Sequence, residues 1–509
     1  MFKLKLIRAV VLFVAVIFVP VCFAESAPEP DLVLRGTVTH AQNETYIQVP
    51  FEVPRGVSRL TVTFQYTGKK QNTRLDLGIF DPNGFRGDSG GNKSRFTISK
   101  TDATPSYLPG PIVPGRWYLL VAVPNIRTHV ISHYTADIYF KTRPGIESFS
   151  NGPLRSGPAW YRGDLHMHTA HSDGTCPSQT GKQVPCPVFV TAEAAVRRGL
   201  DFIAITDHNT VSQYDAEREL QPYFDKLLFI PGREITTFHG HANVFGITPF
   251  VDYRIGTPSV PSMNAIARRV HQLGGIISIN HPNLPIGESC LGCGWDPHPP
   301  IDLHLLSAIE AVNGSVLHGP YSGVSFWEKQ LGKGYRIPAI GGSDNHHGAW
   351  PLSHPDSVGI PTTVIYAQNL SVPAILNGIR SGHVFIDLTG SRNRMLEMTA
   401  ATAGQPTAIM GDKLKAASDS TVQLTVHVVG CPGWTLKISD NDHDNPALPS
   451  RVLSQSDATL HFTWPSNGNR HWLLPQVDNS QGELEVLGNP IYANYSGKTD
   501  DAAHPAVRN

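Results

Sequence analysis

The sequence lacks any excess of charge: 41 Lys and Arg face 42 Asp and Glu, for a formal net charge of −1. No bulk positive field draws such a chain to phosphate backbones or anionic lipid, so nucleic acid is not expected as a partner. Charged residues make up only 16% against 40% hydrophobic, too apolar a balance for a disordered chain. With 46 Gly and 41 Pro, the sequence is too interrupted for a coiled coil. Past the N-terminus no apolar run approaches the ~20 residues of a membrane-spanning helix. Internal repeats and low-complexity tracts are absent as well. Cysteine is scarce, and no second CxxC accompanies "CLGC", Cys290 to Cys293, which argues against a zinc ribbon and leaves a tight structural disulfide or a redox pair.

What is present begins with a leader. In "MFKLKLIRAVVLFVAVIFVPVCFAES", Lys3, Lys5 and Arg8 precede an apolar run from Ala9 to Val21 and small residues up to Ala24. This reads as a secretory signal over 1–24 and an exported protein, periplasmic or secreted, rather than an anchored one. Five cysteines then remain for an oxidising compartment. Cys176 and Cys186 bracket the polar loop "PSQTGKQVP", which a disulfide would pin, and Cys431 is left as a buried thiol.

At 509 residues the chain is expected to divide into two to four domains. From 31 to 140, segments such as "TYIQVPFEV", "SRLTVTFQYTG" and "GRWYLLVAVPN" alternate apolar and polar residues between turn signals, the pattern of a β-sandwich. A Pro/Gly/Ser-rich stretch over 141–158 reads as a linker. From 159 to 390 the texture changes. Short apolar runs ("LDFIAIT", "LLFIPG", "GGIISIN", "SAIEAVN", "IPAIGGS") alternate with helical stretches ("FVTAEAAVRRG", "SMNAIARRVHQLG"), which predicts an α/β barrel or doubly wound sheet. Period two returns over 394–493, predicting a second β-sandwich, and 496–509 reads as a disordered tail.

The middle region carries the chemistry. Its strands end in ligand-type residues: His166-Met167-His168, Asp207-His208, Glu234, His281 and Asp344-Asn345-His346. In a barrel the carboxyl ends of the strands meet on one face, so these residues are expected to converge. Along a strand His166 and His168 point to the same side, as two imidazoles on one ion require. Thirteen of the 23 His lie between Tyr161 and His347, and imidazole mixed with carboxylate suits zinc, manganese or iron(II). His271, His298, His304 and His318 read as ordinary structural side chains.

The series "GDLHMHTAHSDG", "FIAITDHN", "IPGREITT", "GHANVFGI", "SINHP" and "AIGGSDNHH" resembles the motifs of the polymerase and histidinol phosphatase (PHP) superfamily. Within it, "GHANVFGI", the leader and the closing "LGNPIYANY" are most similar to the CehA/McbA-type metallohydrolases. The resemblance covers 163–386 and implies a distorted (β/α)7 barrel with two or three divalent ions. By position, His166 and His168 would be the first paired ligands, Asp173 the acid of the first motif, His208 the ligand of the second and Glu234 a bridging carboxylate. His241, His281, Asp344 and His346 would complete the set. Asp207 is expected to orient His208 through its far ring nitrogen.

Ions sharing Glu234 would hold a water and bring its pKa toward ~7, giving a metal-bound hydroxide. His171 and His239 are the candidates for protonating the leaving group, and Arg233 either clamps an anionic substrate or pairs with a carboxylate. The expected substrate is a small-molecule ester. Phosphoesters come first, as the commonest activity of the resembled superfamily; carboxylic or carbamic esters are the alternative, favoured by the CehA/McbA likeness and the few basic residues near the motifs. A non-catalytic secreted binding protein, working through its two sandwiches, is the remote third reading.

Overall fold

The structure is a computed structural model that describes residues 29–288, 290 and 292–495. The leader expected over 1–24 and the tail expected over 496–509 lie outside the described residues. Among those described, no helix is long and apolar enough to cross a membrane.

The first region is a sandwich of two four-stranded sheets. One sheet runs in the order Leu32–Val38, Ser132–Lys141, Arg59–Tyr66, Arg95–Ser99, and the other Thr45–Val53, Gly115–Asn125, Arg74–Asp81, Gly84–Asp88. Alternation builds its core: Trp117, Leu119, Val121 and Val123 all turn inward from one strand and are closed to solvent. This sandwich is fastened to the rest of the chain by charge. Asp102, fully buried, takes two hydrogen bonds from Arg59 and one from Arg218 of the helix Gln213–Leu220, while Arg59 also reaches Thr248. Burial opposes ionisation of Asp102, but Arg218 and Arg59 outweigh it and hold the carboxyl well below its usual range.

The stretch 141–158, expected as a linker, is docked instead. Glu147 pairs with Arg59 at 3.1 Å and its N–H donates to the Gly246 carbonyl, and the strand Arg155–Asp164 already begins inside it.

The middle region places its strands in two sheets. One holds Leu228–Phe229, Phe202–Ile203, Arg155–Asp164, Thr362–Leu370 and Val384–Asp387 side by side; the other holds Gly232–Thr237, Gly240–Phe245, Ile276–Ile279, Ala308–Asn313 and Ala339–Gly342. Two isolated parallel bridges, Met167 with Asn345 and His208 with Glu234, tie the sheets together at one end. Tyr161, Phe202 and Leu228 from the first sheet pack with Phe245, Ile276, Ala308 and Ile340 from the second. A regular (β/α)7 alternation is not what the strands display. Five α-helices are present among the described residues, Val188–Arg198, Gln213–Leu220, Met263–Gln272, Val324–Gly332 and Val372–Ser381, and the ladders mix parallel with antiparallel pairs. The reason is local: Gly232–Thr237 and Gly240–Phe245 form a hairpin through Phe238-His239, with Gly240 at φ +135°, so no helical crossover separates them.

The last region is sandwich-like, but it is not separate from the middle. One of its sheets, Ala408–Ile409, Met395–Ala401, Thr421–Val429, Asp457–Pro465, stands alone. The other continues the first middle sheet: Phe385, Ile386 and Asp387 pair antiparallel with Gly488, Leu487 and Val486, and the ladder runs on through His471–Asp478 and Thr435–Asp440. Val364 and Phe385 share one apolar cluster with Leu424, Val426, Phe462, Leu473 and Val477.

Candidate metal centre

Where the strand Arg155–Asp164 ends, the chain stays extended through His166 and His168, both fully buried with rings 5.2 Å apart, while Met167 turns the other way into the apolar cluster of Ile203, Ile205 and Phe229. Gly342 makes the room, since a Cβ there would sit 2.4 Å from that of His166. Glu234, on the hairpin strand, lies at the middle of the ligand set. Its Oε1 is 3.5 Å from His166 Nε2, 3.2 Å from His241 Nδ1 and 3.4 Å from His281 Nε2; its Oε2 is 2.8 Å from His208 Nδ1 and 3.7 Å from His168 Nε2. Asp344 Oδ1 lies 3.1 Å from His168 Nε2 and 3.3 Å from His166 Nε2. Further out, Asp173 is 3.7 Å from His208 Nε2 and 3.4 Å from His346 Nε2.

Three overlapping sets have ligand atoms close enough to share an ion: His166, Glu234 and His281; His166, His168 and Asp344; and His168, Asp173, His208 and His346. His241 borders them through Glu234. All nine residues anticipated as ligands are thus brought to one place. His281 at φ +26° and Asp344 at φ +51° adopt left-handed backbone, a conformation of sparse population that a functional site is able to hold.

The partners of the imidazoles fix which nitrogen faces inward. His281 Nδ1 donates to the Cys293 carbonyl at 2.9 Å and His346 Nδ1 to the Asp344 carbonyl at 2.8 Å. A carbonyl only accepts, so each Nδ1 carries the proton and each Nε2 presents a lone pair. His166 does the same through the Glu310 carboxylate at 2.7 Å. Asn280 donates to Glu234 at 2.8 Å, and Asn313 donates to both Glu310 and Asp344. Glu310, Asn280 and Asn313 were not anticipated; Glu310 lies in "SAIEAVN", where it reads as one more inward position of an apolar strand.

Electrostatically the centre is a dense mixture of opposite charges. Burial raises the carboxyls of Glu234 and Asp344, yet the surrounding imidazoles, His166 first, hold both well below the usual range. Burial lowers His208, but Glu234 and Asp173 overcome it and raise the ring to about 9. For His168 burial wins, bringing it to about 4. His166 Nε2, His168 Nδ1, His241 Nε2 and Glu234 Oε2 are enclosed without a hydrogen bond. Buried polar atoms left unbonded beside carboxylates held ionised suit divalent cations.

Other anticipated roles change. Asp207 does not reach the His208 ring, whose Nδ1 meets Thr236 Oγ1 at 2.6 Å. Asp207 instead binds the turn after His168, accepting from the Thr169 N–H and hydroxyl and from Ser172 Oγ. Arg233 is fully buried, with Nη2 donating to the Pro249 carbonyl. As the strand neighbour of Glu234 it faces away from the ligand set. His171, half-buried, meets Ser212 Oγ at 2.8 Å, and His239 sits at the hairpin tip beside His298; neither belongs to a ligand set. Compared with models of protein families and with curated proteins, the chain matches none.

Proposed function

We propose that the chain is an exported, multinuclear metal-dependent hydrolase of small ester substrates on a distorted barrel of the PHP type. The observation that carries this reading is the convergence of nine ligand-type side chains from strands, turns and loops far apart in the sequence, with polar atoms of four of them enclosed and unbonded. Two or three ions of the zinc, manganese or iron group, when bound, supply Lewis acidity and make a water acidic enough to react near neutral pH. The chain's own part is placement. Glu234 reaches ligand imidazoles on four elements, while Glu310 and the Cys293 carbonyl hold the Nδ1 protons of His166 and His281 away from the centre. His171, tethered at Nδ1 by Ser212, keeps Nε2 to hold a proton for a leaving group, and His239 is the second candidate.

Between leaving-group classes, the enclosure of Arg233 favours the second. A phosphoester site calls for basic side chains at its mouth, and the one basic residue beside Glu234 is turned away. That supports a carboxylic or carbamic ester over the phosphoester. The disulfides and the leader support export.

The test uses the chain from Glu25 onward. Elemental analysis is expected to find two or more ions per chain, with chelator-sensitive turnover of p-nitrophenyl acetate or carbamate above that of the phosphate mono- and diester. His208→Ala and Asp344→Ala should each remove at least one ion and lower turnover by at least roughly 100-fold. Unchanged metal content and activity in both variants would overturn the reading.

A further inference from the structure

The outermost ligand set is built differently from the other two. His166, Glu234 and His281, like His166, His168 and Asp344, stand on or just past strands with side chains 14% exposed or less. The set of His168, Asp173, His208 and His346 takes Asp173 from a turn and His346 from a loop, and their side chains are 59% and 32% exposed. Asp173 comes nine residues after the strand Arg155–Asp164 ends and His346 four after Ala339–Gly342, and neither residue lies on a strand or helix.

A small covalent frame stands in for one. Cys176 and Cys186 are joined by a disulfide, Cα atoms 4.9 Å apart, closing the short hairpin of Thr175–Pro177 with Gln183–Pro185. On one side the frame closes the turn bearing Asp173: the Cys186 N–H donates to the Gly174 carbonyl at 2.9 Å and the Ala170 N–H to the Cys186 carbonyl at 2.7 Å. On the other it docks the loop bearing His346: the Thr175 N–H donates to the His346 carbonyl at 2.7 Å, and Thr175 Oγ1 meets His347 Nδ1 at 2.9 Å. Gly348 lies so close that a Cβ would come 3.3 Å from Cys186 Sγ. The residues inside the frame, "PSQTGKQVP", supply no apolar core of their own. Among the described residues the disulfide is the cross-link that closes the frame touching both the Asp173 turn and the His346 loop.

We infer that the Cys176–Cys186 disulfide is the positioning device of the outermost ion. It sets Asp173 and His346 relative to each other, and so decides whether the fourfold set holds an ion, while the two inner sets assemble without it. The inference rests on the metal-centre reading above. Forming the bond takes two protons and two electrons from the paired thiols, delivered to a disulfide-exchanging oxidant of the compartment where the chain folds. Both cysteines are closed to solvent in the finished structure, so the bond, once made, is shielded from reductants. The device thus acts at assembly: the last ion is admitted only where disulfides form.

The experiment compares the oxidised chain from Glu25 with Cys176→Ala/Cys186→Ala, by elemental analysis and by titration with a chromophoric chelator, alongside circular dichroism and thermal melts. The double variant is expected to keep the native spectrum and its inner ions, and to give up one ion at roughly 10- to 100-fold lower chelator concentration. Asp173→Asn, with the disulfide intact, should show the same one-ion deficit. A double variant that keeps every ion with an unchanged titration overturns the inference. So does one that loses all ions together with its native spectrum, since the bond would then be a staple of the whole fold. Oxidised wild-type chain that holds no ion at all refutes instead the metal-centre reading, and is recognised in the same control.

Discussion

Glu217 is closed to solvent with neither carboxyl oxygen hydrogen-bonded. Burial, then Asp207 and Asp102, push its carboxyl well above the usual range. A raised carboxyl keeps its proton in the folded chain after the unfolded chain would have lost it, so it withdraws stability as pH climbs past about 4.3. Glu217→Gln is expected to raise Tm at pH 7.5, equivalent to roughly 1–3 kcal/mol, and to change it little at pH 4; melts at the two pH values decide. Legibility at this scale follows chemistry. The cluster was readable because His, Asp and Glu at and near strand ends have few other reasons to recur in one region. Glu310 and Asn313 were not, because a polar residue bonded to a ligand leaves the same trace as one bonded to a main chain. Arg233 shows a rule applied too narrowly: the alternation that put His166 and His168 on one side also sets Arg233 opposite Glu234.

Among the elements, the strand Ala339–Gly342 illustrates how little space the centre leaves. A Cβ on Gly342 would meet the His166 Cβ at 2.4 Å, its N at 3.1 Å and Glu310 Oε2 at 2.9 Å. Two of these atoms belong to the foot of a ligand, which cannot swing aside. Gly342→Ala is expected to displace His166, destabilise the fold by roughly 1–3 kcal/mol, and weaken chelator resistance of the inner ions while leaving the outermost set intact. An unchanged chelator titration would mean that the strand yields instead. Helices were legible where glycine ends them, as at Gly199 with φ +85° after Val188–Arg198. The hairpin of Gly232–Phe245 was not, since a two-residue turn without a glycine at its first position gives little local signal, and two runs read in sequence do not tell whether they pair or cross over.

For the molecule as a whole, the strands of the first region pair among themselves, while those of the last region share a sheet with the middle. A sandwich that closes on itself, expected over 31–140, is bounded by Leu32–Val38 and Ser132–Lys141, which pair with each other. The return of period two near 394 marks real strands, but their ownership depends on pairing Val384–Asp387 with Leu484–Gly488 across about a hundred residues, and no local pattern encodes that. A chain cut after Gly390 would uncover Val364, Phe385 and Ile386 along an open sheet edge. Such a fragment is expected to aggregate or to purify without metal; a soluble, metal-loaded fragment would mean that the last region is dispensable.

That shared sheet also imposes an order in time. A chain emerges from its N-terminus, so His166 and His168 appear long before Leu484–Gly488. At ~5–20 residues per second, the interval is on the order of tens of seconds. During that interval the sheet behind the first ligands still has an open edge at Val384–Asp387. If the chain holds ions as proposed, their uptake would follow closure of that edge, and a metal offered to the growing chain would meet loose histidines rather than a site.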